Sequence, residues 1–309
     1  MNTSVKDERV ELTAESAAVH EGRCLNCSSI LYGPYCAACG QRDVPPHPSM
    51  RELVGEAIAE FWGWDGRFFQ TFVTLFTRPG DLTAQVASGR RVRFISPIRL
   101  YLVASLVYFA ANTAAPPVRN KDGQVLYTGV HVSTVRTEPG GNSSTPLTGS
   151  LSAEDRAKIA AELPKASPFM RPVLQRAYED ADAYNRDFQK SIPRAFFVLV
   201  PAFALVLSLF FRGRRYPEHL FFALHLQAFL FLVSTIPELL KFTKSMPVVV
   251  GATIGVVVAI SVYTVLALRR TYGTSLAGTI TRALGVVSVY LPFYGATMFA
   301  LLYWAAVHP

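Results

Sequence analysis

The chain has 309 residues, of which 50% are apolar and only 17% are Asp, Glu, Lys or Arg, and its formal net charge is +8. Soluble domains carry about 25% charged residues, so this balance excludes a wholly water-exposed fold and implies contact with a lipid bilayer. The positive charge does not point to nucleic acid, because many of the cations are arginines at the ends of apolar runs.

Residues 1–22 are polar and acidic, lack the apolar stretch of a secretory signal, and read as a disordered tail. Residues 23–44 hold all 4 cysteines, spaced Cys24-x2-Cys27-x8-Cys36-x2-Cys39. Two paired thiolate knuckles suit one tetrahedral ion, and soft sulfur ligands make Zn2+ the expected cofactor. A pair of disulfides is the alternative and needs an oxidising compartment, whereas the topology argued below puts this segment in the cytosol. Four bound thiolates leave no open position, so the expected zinc is structural; redox sensing and catalysis are the lesser readings. Such ribbons can bind nucleic acid, but Arg23 and Arg42 are the nearest cations, too few to neutralise phosphates. Docking of a cytosolic protein partner, or packing, is the better expectation.

In residues 45–95, Pro45, Pro46 and Pro48 form a stiff linker. Apolar residues then recur at helical spacing: Leu53, Val54, Ala57, Ile58 and Phe61, followed by Phe68, Phe69, Phe72, Val73 and Phe76. Glu52, Glu56, Glu60 and Arg67 interrupt this run too often for a membrane span. With Trp62 and Trp64 between its halves, it predicts one or two amphipathic helices lying in the cytosolic interface. A soluble helical hairpin packed on the bundle is the alternative. Asp81 or a neighbour is expected to cap a short helix ending at Gly89.

A membrane span needs about 20 mostly apolar residues. Five stretches qualify, at 97–114, 192–211, 219–236, 248–268 and 284–307, with Arg99 of the first expected to snorkel to the interface. Arg90, Arg91 and Arg93 precede the first; Arg212, Arg214 and Arg215 separate the second and third; Arg269, Arg270 and Arg282 separate the fourth and fifth. The positive-inside rule then places the N-terminus in the cytosol and the C-terminus outside. Residues 115–191 become an extracytoplasmic loop, with a strand or hairpin in 125–135 and helices near 152–163, opened by a capping box from Ser152 to Asp155, and 168–190. Gly251-x3-Gly255 reads as a close helix contact, and no internal repeat is evident. The fold class is an all-α polytopic membrane protein: about five transmembrane helices, interfacial helices, and a small N-terminal four-cysteine zinc ribbon.

Glu218, His219 and His225 are the candidates for chemistry in the bundle. Seven helical residues make nearly two turns, so Glu218 and His225 project from one face about 10 Å apart. Ionisable groups inside a span are costly and usually face the bundle interior or a water-filled cavity. They suit a proton relay, a metal, or a substrate carboxylate or phosphate. In the plainer reading His225 hydrogen-bonds a tyrosine such as Tyr263 or Tyr290, and Glu218 pairs with Arg214 or Arg215. Their spacing matches no recognised metal motif, and the sequence has no phosphate-binding loop, nucleophile elbow or dinucleotide fingerprint.

Several of these features together resemble DUF3667, a bacterial membrane family of unknown function. They are the cysteine motif with Tyr35, Gly40 and Gln41; the stretch from Phe69 to Gly80; Gly89-Arg90-Arg91 with Ser96-Pro97; and the segment from Tyr216 to His225. The resemblance is close over about residues 24–110. It implies a shared architecture and a bacterial inner membrane, and it supplies no reaction. The expected function is a non-enzymatic binding, sensing or regulatory membrane module with a cytosolic structural zinc site. The alternative is a membrane-embedded enzyme or small permease using Glu218, His219 and His225.

Overall fold

Lipid offers backbone N–H and C=O groups no hydrogen bonds, so the long apolar runs satisfy theirs internally as helices. The structure, a computed structural model, describes residues 22–43, 66–116, 118–119, 125–126, 161, 163–179 and 181–308. Its helices are α1 (Arg67–Thr77), α2 (Asp81–Ala87), α3 (Pro97–Ala114), α4 (Arg171–Glu179), α5 (Ala181–Phe210), α6 (Tyr216–Leu240), α7 (Met246–Tyr272) and α8 (Leu276–Val307). Two short strands, Val118–Arg119 and Val125–Leu126, pair antiparallel. Ends are set by local chemistry: Pro97 follows the extended Ser96 at the start of α3, Ser275 accepts from the Gly278 N–H at the start of α8, and α7 stops at Gly273.

Among the described residues four helices are long and apolar enough to cross a membrane: Arg186–Phe210, Tyr216–Thr243, Met246–Tyr272 and Leu276–Val307. Each extends beyond the apolar run that announced it, because helical hydrogen bonding continues through flanking polar residues. The helix expected from 168 to 190, leading into the second span, is divided: α4 ends at Glu179, and from Ala181 onward the residues belong to the same helix as the span. Helix α3 has only 18 residues, with Arg99 and Asn112 among them, and is not one of the four.

Helix α6 is the axis. In its most apolar window 72% of residues are buried, against 11% for α7 and for α8. Along one face Phe221, His225 and Phe229 meet the α1–α2 hairpin: Phe221 packs with Val86, Thr83 reaches His225, and the Phe76 ring lies 5.5 Å from that of Phe229. Another face takes α3, with Tyr101 and Tyr108 against Phe231. On α7, the Tyr263 ring stacks on Phe229 at 3.6 Å and its hydroxyl donates to the Leu75 carbonyl at 2.9 Å. Helices α5 and α8 pair through a second cluster containing Tyr184, Phe188, Leu199 and Met298.

Several expectations are corrected. Arg99 does not snorkel: it is buried, with its guanidinium 5.2 Å from the Phe68 ring centroid. Of the expected cap at Asp81 or a neighbour, the neighbour Gly80 takes the N-cap position of α2, without a side-chain bond, and Asp81 is the first helical residue. Its carboxylate accepts from Arg270 at 3.0 Å and from Gln85 at 2.8 Å, tying the hairpin to α7. A methyl group added at Gly251 or Gly255 would meet nothing within 4 Å, so that stripe makes no helix contact among the described residues. The acidic tail, the proline linker, the helical run through Trp62 and Trp64, most of 125–135, and the helix near 152–163 fall outside the described residues.

Gly80 shows how tightly the hairpin is seated. Its φ is +78°, and a Cβ there would sit 2.6 Å from the Ala267 carbonyl oxygen. A left-handed non-glycine residue costs about 1–2 kcal/mol before any clash. Gly80→Ala is expected to destabilise the protein by more than that strain alone, read as a lowered thermal unfolding midpoint in detergent.

Candidate functional site

The four cysteines come together because the segment folds as two like turns. Cys24 accepts from the Ser28 N–H and donates its own N–H to Ser29; twelve positions on, Cys36 accepts from Gly40 and donates to Gln41. Each turn is closed by a bridge, Arg23 to Ile30 and Tyr35 to Arg42, and has a positive φ after its second cysteine, 63° at Ser28 and 73° at Gly40. This is an internal repeat that the sequence reading missed. The recurrence of Cys-x2-Cys followed by a small residue was the available signal.

The four Sγ atoms lie within 4.8 Å of one another. Cys24 and Cys39 are 3.6 Å apart and Cys27 and Cys36 3.5 Å. Disulfide sulfurs sit about 2.05 Å apart, so no pair is bonded. Zinc–thiolate bonds of about 2.3 Å put the sulfurs of a tetrahedron about 3.8 Å apart, and the cluster has that size. The donor set therefore fits one metal ion. Cys24 and Cys36 are buried and Cys27 is exposed. Burial pushes the Cys24 thiol up to about 11, while hydrogen bonds from the Ser29 hydroxyl and backbone N–H pull Cys27 down to about 6. A cation among them favours the thiolate form at every position.

The cysteine module is held against the rest of the chain. Gln41 donates from its amide to the Gly89 carbonyl at 2.9 Å and accepts from the Arg91 N–H at 3.4 Å. At Gly89, where φ is +85°, a Cβ would come within 2.6 Å of the Leu25 side chain. Arg91 in turn lies over the Phe221 ring of α6 at 5.9 Å. A short path thus runs from Cys39, through Gln41 and the turn after α2, to the start of the central helix.

Glu218 and His219 meet near Tyr272, while His225 stands apart from them. The Glu218 carboxylate accepts from Arg214 at 2.9 Å and from the Arg215 N–H at 3.2 Å, capping α6. The sequence reading had named this ion pair. His219 is fully buried, with Nδ1 2.7 Å from the Tyr272 hydroxyl. His225 has neither tyrosine as its partner: its Nδ1 meets the Thr83 hydroxyl at 2.9 Å. Tyr263 and Tyr290 instead donate to the Leu75 and Leu199 carbonyls. The Nε2 atoms of both histidines are buried without a hydrogen-bonding partner among the described residues. Glu218 does share a cleft of about 420 Å3 with Arg214, Arg270, Tyr272 and Ser88, at the same end of the bundle as the cysteines.

The helices that enclose α6 are also where a family likeness falls. Residues 65–109 match the family model described as protein of unknown function (DUF3667). The DUF3667 match takes in α1, α2 and most of α3. It does not reach the cysteines or the three ionisable residues of α6. No curated protein and no solved structure matches the chain.

A buried hydroxyl–imidazole pair is expected to show the asymmetry of polar burial. Thr83→Val strands His225 Nδ1 and should cost about 1–3 kcal/mol. Combining it with His225→Leu should recover much of that loss, since both partners then become apolar. Thermal or denaturant unfolding of the two single variants and the double variant in detergent measures the difference.

Proposed function

We propose that the chain is a five-span, non-enzymatic membrane module in which a cytosolic zinc ribbon is fastened to the turn feeding the bundle and docks a cytosolic protein. The observation that carries this reading is the Gln41 contact with Gly89 and Arg91, which gives a distant cysteine cluster a grip on the bundle. The outer face of the ribbon supports docking: Ile30, Tyr32 and Tyr35 are 53%, 88% and 62% exposed, an apolar patch on a module of about twenty residues. His225 is held by Thr83 away from Glu218 and His219, so the three candidates do not converge, which favours this reading over an enzyme or permease.

In this account α3 is the fifth span. Its 18 residues reach about 27 Å, close to the thickness of a bilayer core, and it packs along α6 more extensively than any other helix does. Helix α1 lies at the inner interface, with Phe69, Val73 and Phe76 exposed on one face for lipid and Leu75 turned into the bundle. In this account the cysteines lie inside the cell and Val307 outside, an orientation the arginine distribution supports, and the membrane is a bacterial inner membrane.

Elemental analysis of the detergent-purified protein is expected to find one zinc per chain, lost in the Cys24→Ser/Cys36→Ser variant. A metal retained by that variant would put its ligands in the bundle and favour the enzyme reading, with Glu218, His219 and His225 the first ligands to remove. Topology is tested separately, by membrane-impermeant maleimide on single reporter cysteines at positions 43 and 308. Labelling from opposite sides is expected; labelling from one side would mean an even number of spans.

A further inference from the structure

The end of the bundle remote from the cysteines contains a cavity of about 630 Å3 between α3, α5, α6 and α8. Pockets for small ligands run from about 300 to 1,000 Å3. Its walls are largely aromatic: Phe109, Phe196 and Phe231 contact one another at ring separations of 5.2–6.2 Å, and Tyr290 and Tyr294 face them from α8. Gln227, near the middle of α6, also lines it. A primary amide at that depth is costly against lipid and belongs on a cavity.

The charge at the rim is one-sided. Arg186 and Lys190, one turn apart on α5, line the opening, and no Asp or Glu is among the described lining residues. The carboxylate of Asp187 is shared by Lys190 at 3.4 Å and Arg176 at 3.7 Å, and Glu238 beyond the lining is paired with Lys241, so the cations prevail at the rim. A positive rim over an aromatic chamber inside a membrane bundle matches an amphiphile with an anionic head. A zwitterionic head would find no described carboxylate in the lining for its cationic group.

We propose that this cavity binds an anionic phospholipid, its phosphate at Arg186 and Lys190 and one acyl chain between Phe109, Phe196, Phe231 and Tyr290. The inference deepens the functional reading by giving the bundle a ligand class, and it rests on the chain being embedded in a membrane. It is independent of the metal and of the number of spans, so zinc and topology measurements can fail without deciding it.

The test uses the full chain in detergent and a fluorescent phosphatidylglycerol, followed by anisotropy. Unlabelled phosphatidylglycerol should displace the probe, phosphatidylcholine should do so about tenfold less well, and glycerol phosphate should not displace it at all. Arg186→Ala/Lys190→Ala should raise the dissociation constant about tenfold or more, since each basic residue adds to anionic-lipid attraction. Ser234→Trp, which fills the cavity from α6, should abolish displaceable binding while the zinc content and unfolding midpoint stay unchanged. Equal displacement by phosphatidylcholine would overturn the assignment, as would displacement by glycerol phosphate, which would indicate a soluble anion. Unchanged affinity in the double alanine variant would also contradict it. So would binding that appears only after residues 127–160 are removed, because the chain's own segment would then be the occupant.

Discussion

Helix α6 runs through the middle of the molecule, so its buried polar side chains must find partners within the protein rather than in water. That requirement organises much of what surrounds it. Glu218 turns back to Arg214 and the Arg215 N–H, His219 takes Tyr272 from α7, His225 takes Thr83 from α2, and Glu238 takes Lys241 at 2.5 Å. The two histidine bonds fix α7 and α2 against α6, while the two carboxylate pairs close the helix's own ends. The aromatic contacts fill the space between these points: Phe229 on Tyr263, Phe231 on Tyr108. The same side chains that resemble an active site when read along one helix become, in three dimensions, the fastenings of a buried axis.

The cysteine module extends this logic outside the apolar region. About twenty residues with two turns and no core of their own make the kind of module that a bound ion would order. Once ordered, the module presents Gln41 to a stretch of backbone whose amide and carbonyl would otherwise face solvent, and Leu25 to the one residue there that has no side chain. In the proposed account coupling of this kind is reciprocal: whatever firms the turn after α2 would also favour a metal-bound ribbon, and loss of that metal would loosen the turn. A cytosolic partner seated on Tyr32 and Tyr35 would act on the same equilibrium.

Apolar run length made four of the spans legible, and thiolate spacing made the cysteine cluster legible, because both signals are local in sequence. The partner of His225 was not, since Thr83 lies 142 positions away and only the seating of the α1–α2 hairpin brings it close. Arg99 was misread for a related reason: an arginine near the start of an apolar run looks like an interfacial anchor until Phe68 covers it. Gly251 and Gly255 looked like a packing stripe, yet α7 turns that stripe away from its neighbours. Within the cysteine module the error ran the other way, a repeat of twelve residues being overlooked because only its cysteines recur in type. The cavity near Arg186 left a trace in the sequence, Gln227 and Asn112 inside otherwise apolar helices, but four helices must assemble before that trace has meaning.

The central claim is that metal at Cys24, Cys27, Cys36 and Cys39 holds the turn after α2 against the bundle. Amide hydrogen exchange of the full chain, with zinc and after chelation, tests it most directly. The account predicts that chelation speeds exchange within the ribbon and also across residues 89–95, most of all at the Arg91 amide that Gln41 accepts from. Faster exchange in the ribbon with residues 89–95 unchanged would show that the module rides on the bundle without holding it, and would contradict the account.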